Sequence, residues 1–187
     1  MSSPARERGV SVSEWMAATA GDLEWVEVSD GKFVVKRLGG NPHHIVACEL
    51  RNEFLRQWPE SVAAAPGHWA LRAFGEDHVS IARIPDVLVN GPAVRSTSIF
   101  AGTPDAVVEV WSPTNTLAEM NVKRREYRDA GAAVFLEAFL TDTFDVHLQW
   151  YVLDQGQWVL QAAAEGAREL RVEGPRPFTV VPNSLLR

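Results

Sequence analysis

Ala106-Val107-Val108-Glu109-Val110-Trp111 is a nearly continuous apolar, β-branched run with one carboxylate inside it. Such a run reads as a strand covered on both faces. A charge inside it is costly unless it is paired, hydrogen-bonded or bound to a metal. Glu109 is therefore either half of a buried ion pair, with an arginine such as Arg83 opposite it, or part of a site. Upstream, Ile84-Pro85-Asp86-Val87 puts a second carboxylate directly after a proline and against another apolar strand. Asp86 could simply cap a turn there. Together, Asp86, Glu109 and the Val110 carbonyl form a hard oxygen set of the kind that suits Mg²⁺ or Mn²⁺.

Downstream, Thr116-Leu117-Ala118-Glu119 is a capping box, in which a hydroxyl and a carboxylate satisfy free amides at a helix start. The helix it opens runs to about Ala130, with Gly131 as its stop. Glu119, Lys123 and Tyr127 are spaced by four and share one face. Lys123 can orient a water or stabilise charge developing on phosphorus; its plain alternative is a pair with Glu119 on a solvated face. Tyr127 reads as core.

Towards the N-terminus, Ser11-Val12-Ser13-Glu14 is another capping box and starts a short helix. Leu23 to Val28 and Lys32 to Lys36 alternate around Asp30-Gly31, the dipeptide suited to a tight hairpin turn. Glu27 lies in the first arm, as a site carboxylate or a surface one. After the break at Gly39-Gly40-Asn41-Pro42, His43 to Trp58 has helical periodicity and ends at Pro59. His43, in the first turn, either assists a site or caps. Strands are expected at Trp69–Phe74, Val79–Ile84 and Asp86–Val89, and after Gly131 at Ala133–Leu140, Val146–Leu153 and Trp158–Ala163. Asp154-Gln155-Gly156 makes a hairpin loop, and Arg168–Val172 and Phe178–Val181 add edge strands. The order predicts an α/β or α+β fold, a mixed β-sheet flanked by helices with an N-terminal β-hairpin.

The chain has 187 residues, 46% hydrophobic and 22% charged, which fits one globular domain (11–187) after a flexible N-terminus (1–10). Cys48 is the only cysteine, which excludes an internal disulfide and a cysteine-rich zinc site, and its apolar neighbours make it read as buried. With no signal-peptide core and no membrane-length apolar stretch, a cytoplasmic location is the expectation. A formal charge of −6 and a pI near 5.4 argue against indiscriminate nucleic-acid binding. Basic groups do cluster locally, at Lys36/Arg37, Arg51/Arg56 and Lys123/Arg124/Arg125/Arg128. There is no Walker or Rossmann phosphate loop, no Gly-x-Ser-x-Gly elbow and no His-Glu-x-x-His pair.

Five segments occur in a telling order: Glu27 to Val35 around Asp30-Gly31, Asn41-Pro42-His43, Ile84-Pro85-Asp86-Val87, Val108-Glu109-Val110-Trp111-Ser112-Pro113, and Lys123 with Tyr127-Arg128-Asp129-Ala130-Gly131. In this order they resemble the Uma-two family of restriction-endonuclease-like proteins, a bacterial branch of the PD-(D/E)xK nuclease superfamily. The resemblance runs from about Val12 to Val159. It implies a restriction-endonuclease-like core and a Mg²⁺- or Mn²⁺-dependent endonuclease acting on DNA. Asp86 and Glu109 would take the acidic positions, Glu27 the glutamate before the hairpin turn, and His43 the histidine at the helix start. The superfamily's lysine lies two residues beyond the glutamate; Trp111 occupies that place here, so the role would pass to Lys123. A second departure follows Gly131, where the branch carries a proline and an aromatic strand, whereas this chain has Ala132-Ala133-Val134-Phe135-Leu136-Glu137. By analogy with the superfamily, a homodimer is a possible partner arrangement. Two other readings stay open: an inactive descendant kept as a binding or assembly module, and a metal-dependent hydrolase of a non-nucleic substrate.

Overall fold

The structure is a computed structural model describing residues 9–19, 25–36, 39–74, 77–90, 99–112, 115–143 and 145–187. Residues 1–8 of the expected flexible N-terminus, and Leu23, Arg37 and Pro113, named above, lie outside the described residues.

The strand decided by the Glu109 run, β8 (Ala106–Trp111), lies inside a six-stranded sheet. Its companions are β4 (Val62–Ala64), β7 (Val87–Asn90), β9 (Val134–Leu140), β10 (Val146–Asp154) and β11 (Gln157–Glu165), in the order β11-β10-β9-β8-β7-β4. The β8–β9 pair is parallel and the others antiparallel, so the sheet is mixed as expected. Asp154-Gln155-Gly156 does close the β10–β11 hairpin, with Gln155 and Gly156 both at positive φ. β4 was not anticipated: three small residues between Ser61 and Pro66 carry no alternation to read.

Alternation along these strands divides the interior into two layers. Val87, Val89, Val108, Val110, Val134 and Leu136 face α2 (Asn41–Gln57), which buries Val46, Leu50 and Phe54 against them. Leu88, Val107 and Phe135 face the other way, where they meet Tyr127 of α3 (Leu117–Asp129). A helix on each side of a doubly covered strand is why Ala106–Val110 is apolar at every position but one.

Cys48 corrects its expectation: it is exposed. Val46, Leu50 and Phe54 claim the inner face of α2, and the residue two beyond Val46 is about 200° around the helix, pointing outwards.

A second sheet contains β1 (Val10–Ser11), β2 (Trp25–Ser29), β3 (Lys32–Lys36), β5 (Trp69–Phe74) and β6 (His78–Arg83). The Asp30-Gly31 turn joins β2 to β3 with φ of 48° and 69°, the left-handed pair such a turn requires. α1 (Val12–Thr19) is capped as read, the Ser11 amide donating to Glu14 and the Glu14 amide to Ser11 Oγ. β12 (Leu170–Val172) and β13 (Phe178–Val180) pair with each other as a separate ribbon rather than extending a sheet edge.

α3 begins where its capping box predicts. Thr116 Oγ1 accepts from the Glu119 amide at 3.2 Å, and Glu119 Oε2 accepts from the Thr116 amide at 2.9 Å. Thr116→Ala is expected to lower stability by about 1 kcal/mol, read as a shift of the urea midpoint at constant slope.

Candidate active site

The β7–β8 register places the two acids. Val87 is opposite Val108, so the next pair out is Asp86 with Glu109. Both side chains are buried, and both line one cleft of about 240 Å³ together with Glu27, Lys36, His43 and Lys123. Val110 lines it too. Thus all six residues singled out in the sequence converge, although they come from β2, α2, the β7 entrance, β8 and α3.

Asp86 is held from three sides. Oδ1 accepts from Lys36 Nζ at 2.7 Å, and Oδ2 accepts from the Val110 amide at 2.7 Å and lies 3.1 Å from His43 Nε2. Burial pushes the Asp86 carboxyl up, but Lys36, the His43 bond and Lys123 outweigh it and hold the group below the usual carboxylate range.

Glu109 is paired with Lys123, whose Nζ lies 2.9 and 3.1 Å from its two oxygens. The Tyr127 hydroxyl donates to Glu109 Oε1 at 2.5 Å. Burial raises the Glu109 carboxyl, with Lys123 opposing and the nearby Asp86 adding to the rise. For Lys123 the balance is reversed: burial disfavours its charge, but Glu109, Glu27 and Asp86 more than compensate and its ammonium is held above the ordinary lysine value. Lys123 therefore does not lie on a solvated face of α3; it is buried and aimed at Glu109. Tyr127 is core, as read, and its hydroxyl also belongs to the site.

Glu27 closes the arrangement. Its Oε1 accepts from the Ile84 amide at 3.0 Å and lies 3.3 Å from Lys123 Nζ, while Oε2 accepts from Arg83 Nη1 at 2.9 Å. Burial raises its carboxyl, but Lys123, Arg83 and Lys36 bring it below its ordinary value. Arg83 thus serves Glu27 and also Glu126, to which its Nε donates at 2.6 Å; Glu109 has the lysine instead.

Two charged residues escaped the sequence reading, Lys36 in the cleft and Glu137 beside it in the sheet. Lys36, noted only as a local basic residue, bonds Asp86 and also the Ile84 carbonyl at 2.5 Å. Glu137, fully buried in β9, is opposite Glu109 in the parallel register and pairs with Arg124, while Trp111 Nε1 donates to it at 3.0 Å. The signal for Glu137 was available, since Val134-Phe135-Leu136-Glu137-Ala138 has the same form as the Glu109 run. Trp111, at the position where the superfamily pattern has lysine, stacks on Phe139 with ring centres 5.0 Å apart.

A carboxylate offers about four acceptor positions. Three hydrogen bonds from three groups engage Asp86, and three from two groups, Lys123 and Tyr127, engage Glu109, leaving about one position on each. Among the described residues no three His, Cys, Asp or Glu side chains are grouped to hold one ion between them. One or two carboxylates completed by carbonyl and solvent oxygens is nonetheless an ordinary Mg²⁺ environment, so the donor chemistry fits. No helix among the described residues is long and apolar enough to cross a membrane.

Comparison with known proteins bears on the family and the fold. No curated protein matches the sequence. Among solved structures, one similar to this chain is "a putative nuclease belonging to DUF820 from Anabaena variabilis ATCC 29413". It has a TM-score of 0.59 and 16% identity, over 81% of this chain and 83% of that one, a likeness of fold. Residues 14–179 match the family described as "Uma2: Putative restriction endonuclease", a span that includes every residue of the cleft named above. The chain belongs to the Uma2 family of restriction-endonuclease-like proteins.

Proposed function

We propose that this chain is a Mg²⁺- or Mn²⁺-dependent endonuclease that hydrolyses DNA phosphodiester bonds at the Asp86–Glu109 centre. The observation that carries the reading is the pairing of these two carboxylates across adjacent strands, in a cleft where Lys123 is already bonded to Glu109. Asp86, Glu109 and the Val110 carbonyl would hold the ion. When bound, it would polarise a phosphodiester oxygen and favour deprotonation of a water.

The chain's own residues supply the rest. Lys123, kept charged by its carboxylate neighbours, stabilises negative charge developing on the phosphate and orients the attacking water. Glu27 holds Lys123 together with Glu109, and Arg83 fixes Glu27. His43 and the Val110 amide hold one Asp86 oxygen in place, while Lys36 holds the other.

Isothermal titration with Mn²⁺ tests the centre, followed by cleavage of plasmid and linear DNA. The wild type is expected to give saturable heat and metal-dependent cleavage, and Asp86→Ala and Glu109→Ala to give neither. Metal binding without cleavage of any DNA would favour a non-nucleic substrate. A second reading has its own support: each site acid is already matched by a basic group, as in a retained but inactive scaffold used for binding. Absence of metal heat in the wild type would favour that reading.

A further inference from the structure

Lys36 is an anomaly of its strand. Lys32 to Val35 of β3 are all exposed, on an edge strand whose ladder partner is β2. Yet the Lys36 side chain is only 9% exposed, because it turns inwards. Its ammonium is held by a carboxylate oxygen of Asp86 at 2.7 Å, the Ile84 carbonyl at 2.5 Å and the face of Trp25 at 5.5 Å. A carboxylate and a backbone carbonyl are hard oxygen donors of the type that bind a divalent ion.

We propose that Lys36 is a built-in placeholder for the metal: its ammonium occupies the Asp86 oxygen in the metal-free chain and is displaced when the ion binds. This rests on the metal-dependent reading of the same cleft. Three features support it. The placeholder engages only Oδ1, while Oδ2 remains fixed by the Val110 amide and His43, so Asp86 keeps its aim when Lys36 leaves. Lys36 ends an exposed edge strand and has a flexible four-carbon stem, so release into solvent requires no rearrangement of the core. The charge count agrees as well. Glu27, Glu109 and Glu126 share Arg83 and Lys123, and Asp86 pairs separately with Lys36; counted together without His43, these four acids and three bases carry a formal surplus of one negative charge. A divalent ion would reverse that surplus to one positive, and release of Lys36 would bring it to zero.

Metal affinity is then reduced by the fraction of time that Asp86 is closed by its lysine. Titration of Mn²⁺ into Lys36→Met should give a dissociation constant about tenfold tighter, or more, than the wild type. On the unmutated protein, an amine-acylating reagent read by mass spectrometry should modify Lys36 slowly without metal and several-fold faster with saturating Mn²⁺; this does not depend on the variant folding. Equal or weaker Mn²⁺ binding by Lys36→Met, or labelling of Lys36 that Mn²⁺ leaves unchanged, would overturn the placeholder while the metal centre stood. If neither wild type nor Lys36→Met bound Mn²⁺, both the placeholder and the metal-dependent reading would fall. Binding by the variant alone would support it.

Discussion

Replacing Lys123 by methionine is expected to lower stability by about 3–5 kcal/mol at neutral pH, the cost of stranding a buried charge. The methionine occupies similar volume, so packing against Met120 and Tyr127 on α3 changes little. What is lost is the cation shared by Glu109 and Glu27, both buried carboxylates. Glu27 keeps Arg83; Glu109 keeps only the Tyr127 hydroxyl among the donors described above. The companion variant Lys123→Met/Glu109→Gln should recover part of the loss, because a neutral amide in place of the carboxylate leaves no stranded charge there. Urea unfolding of the wild type, both single variants and the double variant measures the coupling; a loss below about 1 kcal/mol for Lys123→Met would mean the pair is solvated.

The pH dependence of that deficit has a definite sign. Glu109 titrates higher in the folded chain than when free, because burial outweighs Lys123. A carboxyl raised by folding binds its proton more readily in the folded state, so it favours the fold as pH falls through its folded value. Removing Lys123 raises it further, and the deficit of Lys123→Met should shrink as the pH is lowered from neutrality towards the ordinary glutamate range. Asp86 has the opposite sign. It is held low, so its contribution is complete above its ordinary value of about 3.9 and is lost only as pH falls below that.

Phe54→Ala should cost a comparable amount, about 3–5 kcal/mol, by a different mechanism. Phe54 is fully buried on α2 and touches three aromatic rings: Trp58 at 4.9 Å, Trp150 of β10 at 6.0 Å and Phe178 of β13 at 4.6 Å. The ring therefore joins the helix, the sheet and the C-terminal ribbon. Beside it, Gln57 Nε2 donates to the Thr179 carbonyl and its Oε1 accepts the Thr179 amide, each at 2.8 Å, while Trp58 Nε1 donates to the Pro177 carbonyl. Deleting the ring should release the ribbon first, seen as faster amide exchange at residues 170–180 than in the central strands β8 and β9. Uniform loss of protection across the sheet would instead make the ribbon part of one cooperative unit.

Much of the site was legible because burial and charge conflict locally in the sequence. Glu109 stands out among valines, Asp86 follows a proline at a strand start, and Lys123 follows from a capping box and a four-residue spacing. Elements with strong periodicity were recovered within a residue or two at most ends, and β8 and β5 at both. What escaped depends on approach over long distances. Lys36 lies 50 residues from its carboxylate partner, and an alternating hairpin arm does not announce that its last side chain will turn inwards. Arg83 could be nominated as an ion-pair partner, but the choice of Glu27 and Glu126 over Glu109 was made by sheet packing. Cys48 was misplaced because apolar neighbours in sequence were allowed to outweigh the angle around the helix.

One short stretch of α3 ties the molecule together. Within five consecutive residues, Lys123 serves Glu109, Arg124 serves Glu137, Glu126 serves Arg83 and Tyr127 serves Glu109 again. Such a stretch constrains inheritance as much as structure. A lineage that abandoned the reaction could not discard this lysine alone, since the glutamate left behind would weaken the fold; the two would have to be lost in close succession or kept together. Intact pairs therefore carry little testimony about whether a relative still cuts anything. The more telling positions in a pedigree are those whose loss strands least; Asp86 keeps His43 and the Val110 amide when the lysine at the end of the exposed hairpin arm goes, so that lysine is the first to compare.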